Sequence, residues 1–297
     1  LRVLFAGALF ASGGALLKSC DFPSLQRAGL RAGIAALALF VLLPQARRWP
    51  NARMLWLVLP YFGATGLFVI ANTLTTSANA IFLQSTAPMW VLLLGPLLLQ
   101  ERASRRDLLV FACIAAGLVL FFAAPATAQR TAPDPRTGDL FAIASGISFA
   151  LLLIGMRWLA RHGPDETSAA LAWSNAFALP LAFLLMPLAG QTPMAGTAHD
   201  WLVITVLGVF QVGLAYVVLA RAIGLVPAAR ASLLLMIEPA LNPVITFFVH
   251  GETPHALAVA GGATIVGGVA IGSVLAHRRT ATPSAVTATD APPRARP

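Results

Sequence analysis

Few residues in this chain are of a kind that does chemistry, and the most conspicuous sit together in an oily run. The stretch "LLLMIEPALNPVITFFVHGE", residues 233–252, sets Glu238, Pro239, Asn242 and Pro243 among Leu, Met, Ile, Val and Phe. Glu238 and Asn242 are four apart and share a helix face. Each proline removes one N–H and frees the carbonyl four residues earlier, at Leu235 and Pro239. Such backbone is tolerated in lipid where it faces protein or a wet cavity. Glu238 is the only acid near the middle of any long apolar run. A charge there costs roughly 2.5–3.5 kcal/mol. One reading is functional: a contact for an amine, or a proton-coupled switch. The other is structural: a protonated carboxyl capping backbone that the prolines loosen. No second acid lies near the middle of a run, which argues against a long proton relay.

Other polar and aromatic residues interrupt the apolar runs. Tyr61, Thr65, Phe68 and Asn72 follow at steps of four, three and four and form one stripe. Such a stripe lines a cavity or joins helices. Pro88 would free the carbonyl of Gln84, so Pro88, Pro239 and Pro243 are candidate hinges, with a simple packing kink as the other reading. Gln211, Tyr216, Trp90 and Trp173 are further candidates for a cavity wall. Trp49, Trp56, Trp158 and Trp201 lie near run ends and suit a membrane interface. Lys18 falls at the end of the first run, where long bases usually snorkel; the other reading makes it a structural or gate residue beside Asp21.

Catalytic constellations are not evident. The five histidines are scattered, and only His250 and His255 are close, without a third ligand at metal spacing. Cys20 and Cys113 read as unpaired thiols. "GGATIVGGVAIG" lacks the Lys-Ser/Thr of a phosphate loop, and no ATP-binding motif appears. No catalytic residue, metal site or cofactor is expected. A membrane-embedded enzyme and a channel are the weaker alternatives, since acid–base partners and pore rings are both missing.

The elements that must position these residues are membrane helices. Of 297 residues, 58% are hydrophobic and 10% charged, and the mean hydropathy is +0.80. A soluble domain carries about 25% charge, so the solvent here is lipid. About 20 apolar residues cross a bilayer. Ten runs fit, at roughly 2–20, 24–43, 54–74, 79–99, 107–124, 138–158, 168–187, 201–221, 229–249 and 255–276. The first reads as a true span rather than a cleaved leader. The last twenty residues have no apolar face, and 277–297 reads as a disordered tail.

The net charge is +9, nearly all of it Arg. If both termini are cytoplasmic, that side holds Arg2, Arg47, Arg48, Arg53, Arg102, Arg105, Arg106, Arg157, Arg161, Arg221, Arg230, Arg278, Arg279, Arg294 and Arg296, fifteen in all. The opposite side holds three, Arg27, Arg130 and Arg136. Lys18 and Arg31 lie within or at the edge of spans. This asymmetry orients a multi-pass protein of a bacterial-type plasma (inner) membrane with cytoplasmic termini, and it explains the basic charge without nucleic acid.

The chain also repeats itself. At an offset of 151, Pro88 meets Pro239, Glu101 meets Glu252 and Gly117 meets Gly268. At an offset of 139, Phe10 meets Phe149 and Lys18 meets Arg157. Residues 1–124 and 138–276 thus read as two five-span repeats joined by a linker at 125–137. Five is odd, so the second copy would insert inverted, a signature of secondary transporters. Glu238, Asn242 and Pro243 face Ala87, Val91 and Leu92 of the first copy. The pairs in "GLRAG" (29–33) and "GVAIG" (268–272) have GxxxG spacing, for packing with helices of this chain or of a second copy in a homodimer.

The mid-span Pro, loop Glu and glycine-bearing span ("AP…QE…AAGLVL" and "EP…GE…GGVAIG"), with a base closing each half's first span, resemble the drug/metabolite transporter superfamily. The resemblance covers residues 1–276 and is to its ten-span EamA branch, with YddG-type amino-acid exporters the nearest guess. Phe10 and Phe149 stand where that family often has Trp. The resemblance implies an all-α membrane protein with two inverted five-helix repeats around a central cavity. It implies that spans one, three, four, six, eight and nine line the cavity, and that small metabolites leave through it. On that basis Asn72, Gln84, Asn242 and Glu238 are expected to hold the polar ends of an amino acid or similar substrate. Tyr61, Phe68, Trp90 and Tyr216 would accept its side chain. The halves would rock about the proline sites. Another metabolite or drug as cargo is the alternative within the family.

Overall fold

The structure, a computed structural model, describes residues 1–100, 105–123, 131–235, 237–251 and 255–280. In lipid every backbone N–H and C=O needs a partner within the protein, and a helix supplies one locally. The described residues are accordingly helical almost throughout. In chain order the helices are α1 (Arg2–Phe10), α2 (Gly13–Lys18), α3 (Ser24–Leu42), α4 (Ala52–Leu55), α5 (Val58–Leu74), α6 (Ser77–Gln84), α7 (Ala87–Leu98) and α8 (Arg105–Phe122). Then follow α9 (Pro135–His162), α10 (Pro164–Leu185), α11 (Ala198–Val206), a π-wound segment (Leu207–Leu214), α12 (Ala215–Ile223), α13 (Ala228–Leu234), α14 (Ile237–His250) and α15 (Ala256–Thr280).

Helix occupies each of the ten apolar runs. Six stretches among the described residues are long and apolar enough to cross a membrane: Ser24–Leu42, Ala52–Leu74, Ser77–Leu98, Pro135–His162, Asp165–Leu185 and Ala198–Ile223. The first, fourth and ninth runs are each split into two half-helices. α15 continues past His277 to Thr280, into the stretch read as tail, and 281–297 lie outside the described residues.

Close approach of helices follows the small residues. A Cβ on Gly29 would come within 2.9 Å of Ala182, and one on Gly33 within 3.0 Å of Leu179. The "GLRAG" face is therefore spent on α10. Gly268 lies against Cys113, and Gly117 meets Ile265 and the Gly261 carbonyl, so α8 and α15 interlock. These glycine contacts are made inside one chain and need no second copy. Leu37, Val41, Leu59, Leu97, Val119, Leu184 and Phe248 point outward, as a lipid-facing surface requires. Trp49, Trp56 and Trp201 are exposed near helix ends.

The two bases that close the first and sixth runs make matching bonds. Lys18 Nζ donates to the carbonyls of Thr75 at 3.0 Å and Thr131 at 2.6 Å. It is clasped rather than snorkelling, because those carbonyls lie beyond the helix ends and lack helical N–H partners. Arg157 Nη1 donates to the Gly224 carbonyl at 2.6 Å. Thr75 caps α5 and Gly224 caps α12. Thr75 Oγ1 also donates to Asp139 at the start of α9, at 2.8 Å, whereas Arg157 lies near the end of α9. At 1.5 Å per residue the two clasps are about 27 Å apart along that helix.

Candidate functional site

The site forms where helices stop short. α1 ends at Phe10 and α2 begins at Gly13, which leaves the Phe10 carbonyl without a helical partner. Gln211 Nε2 donates to it at 3.3 Å. Gln211 sits in the π-wound Leu207–Leu214 segment, a rare winding that recurs at functional sites. A Cβ on Gly13 would lie 2.6 Å from Gln211 Nε2, and one on Gly14 would lie 2.6 Å from Asn242 Nδ2. The two glycines are the space into which the two amides fit.

The fourth run breaks at Ser85–Thr86. Pro88 therefore stands in the first turn of α7, where its missing N–H leaves no bond unmade. It begins a half-helix and does not kink a continuous one. Thr86 Oγ1 donates to the loosened Leu83 carbonyl at 2.8 Å. Gln84, last residue of α6, donates to the Ala64 carbonyl at 2.9 Å and to Ser145 Oγ at 2.6 Å. The ninth run breaks in the same way between Leu234 and Ile237, with Glu238 and Pro239 in the first turn of α14. At the sequence offset of 151 the two breaks fall within one residue of each other.

Between these breaks lies a cavity of about 30 Å³ lined by Phe10, Arg31, Ala64, Thr65, Phe68, Gln84, Phe149, Gln211, Val212, Tyr216 and Glu238. That is room for roughly two waters. The lining comes from the first, third, fourth, sixth, eighth and ninth runs, together with Arg31 from the second. Phe10 and Tyr216 meet edge-to-face at 5.2 Å and form an aromatic wall.

Arg31 is the residue that sequence reasoning passed over. It is 3% exposed. Its guanidinium donates from Nη1 to Gln211 Oε1 at 3.3 Å and from Nη2 to the Thr65 carbonyl at 3.2 Å. A base eight residues into an apolar run is as costly as an acid there, and that was the available signal. Glu238 is 8% exposed. Among the described residues no hydrogen bond is made to its carboxyl, and it does not pair with Arg31, although the two side chains share one cavity.

Of the sequence candidates, Thr65, Phe68, Gln84, Gln211, Tyr216 and Glu238 meet at the cavity. Tyr61 lies a turn away, donating its hydroxyl to Asn175 Oδ1, with its ring 5.7 Å from Tyr216. Asn72 bonds Ser77 Oγ at 3.1 Å, and Trp90 Nε1 bonds Thr86 Oγ1 at 3.2 Å. Trp173 stacks on Trp49 at 5.4 Å and donates to the Arg48 carbonyl. Asn242 is fully buried beside α2; its Oδ1 accepts from Thr246 at 3.2 Å, and its Nδ2 has no partner among the described residues. The Pro243 side chain and the loop acids Glu101 and Glu252 lie outside the described residues. Among the described residues no cluster of His, Cys, Asp or Glu could hold a metal.

Comparison with known proteins bears on the chain as a whole. An uncharacterized transporter of Archaeoglobus fulgidus is 29% identical over 224 residues, spanning 75% of this chain and 76% of that protein. A crystal structure of a protein superposes with a TM-score of 0.68 at 20% identity, covering 94% of this chain and 98% of that one; it shows a shared fold. The sequence profile of the EamA-like transporter family matches residues 1–123 and 136–274. The chain is thus a multi-pass membrane protein that belongs to the EamA-like transporter family.

Proposed function

We propose that this transporter is a secondary carrier that exports amino acids or related small polar metabolites across a bacterial-type inner membrane by alternating access. In this reading ten spans form two inverted repeats, and both termini are cytoplasmic. The observation that carries it is the central cavity, where polar and charged side chains from several broken helices converge between aromatic walls. A small polar solute needs such a place to leave its hydration behind.

The repeat is supported by the two helix breaks at equivalent positions and by the matching clasps of Lys18 and Arg157. A carrier built this way closes one end as it opens the other. The breaks before Pro88 and Pro239 are the bending points. In the cavity the substrate would displace water and part the halves.

The test is uptake of labelled amino acids into proteoliposomes, with and without a pH gradient, for wild type and Glu238→Gln. Saturable uptake that Glu238→Gln slows or uncouples from pH supports the reading. Uptake of neither amino acids nor related small polar solutes would overturn it.

A further inference from the structure

An acid and a base in a shared cavity normally pair with each other. Here they do not. Arg31 is anchored sideways to Gln211 Oε1 and to the Thr65 carbonyl. A guanidinium carries five N–H donors, and these two bonds, at 3.3 and 3.2 Å, fix its plane and leave donors over. Glu238 is held by the first turn of α14, behind the helix break, with no described group bonded to its carboxyl. Each side chain is more than nine-tenths buried. Both line the cavity, so it has a base on α3 and an acid on α14.

We propose that the cavity is a zwitterion site. Arg31 takes the carboxylate and Glu238 the ammonium of one small inner salt, an α-amino acid or a compound of that charge pattern. This rests on the reading of the chain as an exporter of small polar metabolites and narrows it. The cargo would be chosen by charge pattern first and by side chain second.

The physical reason is neutrality at close range. Empty, the site holds the Arg31 guanidinium and an unpartnered Glu238 carboxyl, whose ionised form an arriving ammonium would compensate. A zwitterion laid between them pairs each charge and adds none. A net anion pairs Arg31 but offers Glu238 no cation to pair with, and a net cation leaves Arg31 uncompensated. An uncompensated charge away from water is strongly disfavoured. Guanidinium suits the planar carboxylate through paired N–H donors, and the α14 carboxylate suits an ammonium. Thr65 and Gln211 keep Arg31 from swinging across to Glu238 when the site is empty.

The test compares three forms of one amino acid in proteoliposomes: the free zwitterion, its C-terminal amide (a net cation) and its N-acetyl derivative (a net anion). Wild type should move the zwitterion at least about 10-fold faster than either derivative, a difference of about 1.4 kcal/mol. Arg31→Gln should lose that preference toward the amide, and Glu238→Gln toward the N-acetyl compound. The same ranking should appear in ligand-induced thermal stabilisation of each detergent-solubilised variant, which reports binding without transport. If wild type moves the amino acid but treats all three forms alike, or if both variants shift in the same direction, the zwitterion assignment is wrong and the exporter reading stands. If wild type moves and binds none of the three but moves other small polar solutes, the zwitterion assignment alone falls; if it moves no small polar solute, both fall.

Discussion

Arg31 Nη1 donates to Gln211 Oε1 at 3.3 Å, and Gln211 Nε2 donates to the Phe10 carbonyl at 3.3 Å. One amide, on a π-wound turn, thereby holds a buried cation with one end and a broken helix with the other. The π turn and the break in the first run are two parts of one arrangement. Gln211→Leu should remove both bonds, lower stability by about 1–3 kcal/mol and slow transport by an order of magnitude or more. Gln211→Glu keeps an acceptor for Arg31 and should retain more activity than the leucine variant. Thermal unfolding in detergent and proteoliposome uptake, measured on both variants, check this; indistinguishable variants would count against the arrangement.

Gly14 and Asn242 predict a compensating pair. A Cβ on Gly14 would sit 2.6 Å from Asn242 Nδ2, and overpacking of that kind costs about 1–3 kcal/mol. Gly14→Ala should therefore destabilise the protein. Adding Asn242→Ala should restore about 1 kcal/mol or more of that loss. Strict additivity in the double-mutant cycle would mean the two residues do not meet.

The sequence made Glu238, Gln84 and Gln211 visible because a polar side chain in an oily run stands out. It could also point to Phe10 and Phe149, which match at a sequence offset of 139 and both line the cavity. Length explains part of what was illegible. The stripe from Tyr61 to Asn72 is about 16 Å long on a helix, longer than the small cavity is wide, so only its middle members Thr65 and Phe68 reach the lining. Asn242 shares a face with Glu238, yet α2 passes close enough at Gly14 to cover it. Arg31 was hidden inside "GLRAG", whose glycines draw attention to packing. The π winding has no sequence mark at all.

Lys18 predicts a gate at its own end. Its bonds to the Thr75 and Thr131 carbonyls are charge-assisted, and such bonds are worth about 1.5–3 kcal/mol each. Cys20 lies two residues on and is 3% exposed. The thiolate is the reactive form, so Cys20 reports closure. In a Cys113→Ser background, Lys18→Met should raise the rate of Cys20 labelling about 10-fold or more, given those bond energies. Arg157→Met, at the other end of α9, should leave Cys20 protected. Equal acceleration by both variants would show that the clasps are not separate gates.

The central claim is that one cavity opens at the Lys18 end and at the Arg157 end in turn. Its most direct test is a pair of spin-label distances in a Cys20→Ser, Cys113→Ser background: Asp21 to Arg136 across the Lys18 end, and His162 to Leu225 across the Arg157 end. Lys18→Met should lengthen the first distance while the second stays short, and Arg157→Met should do the opposite. Both distances lengthening together in either variant, or neither responding to the loss of its own clasp, would contradict alternating access in this protein.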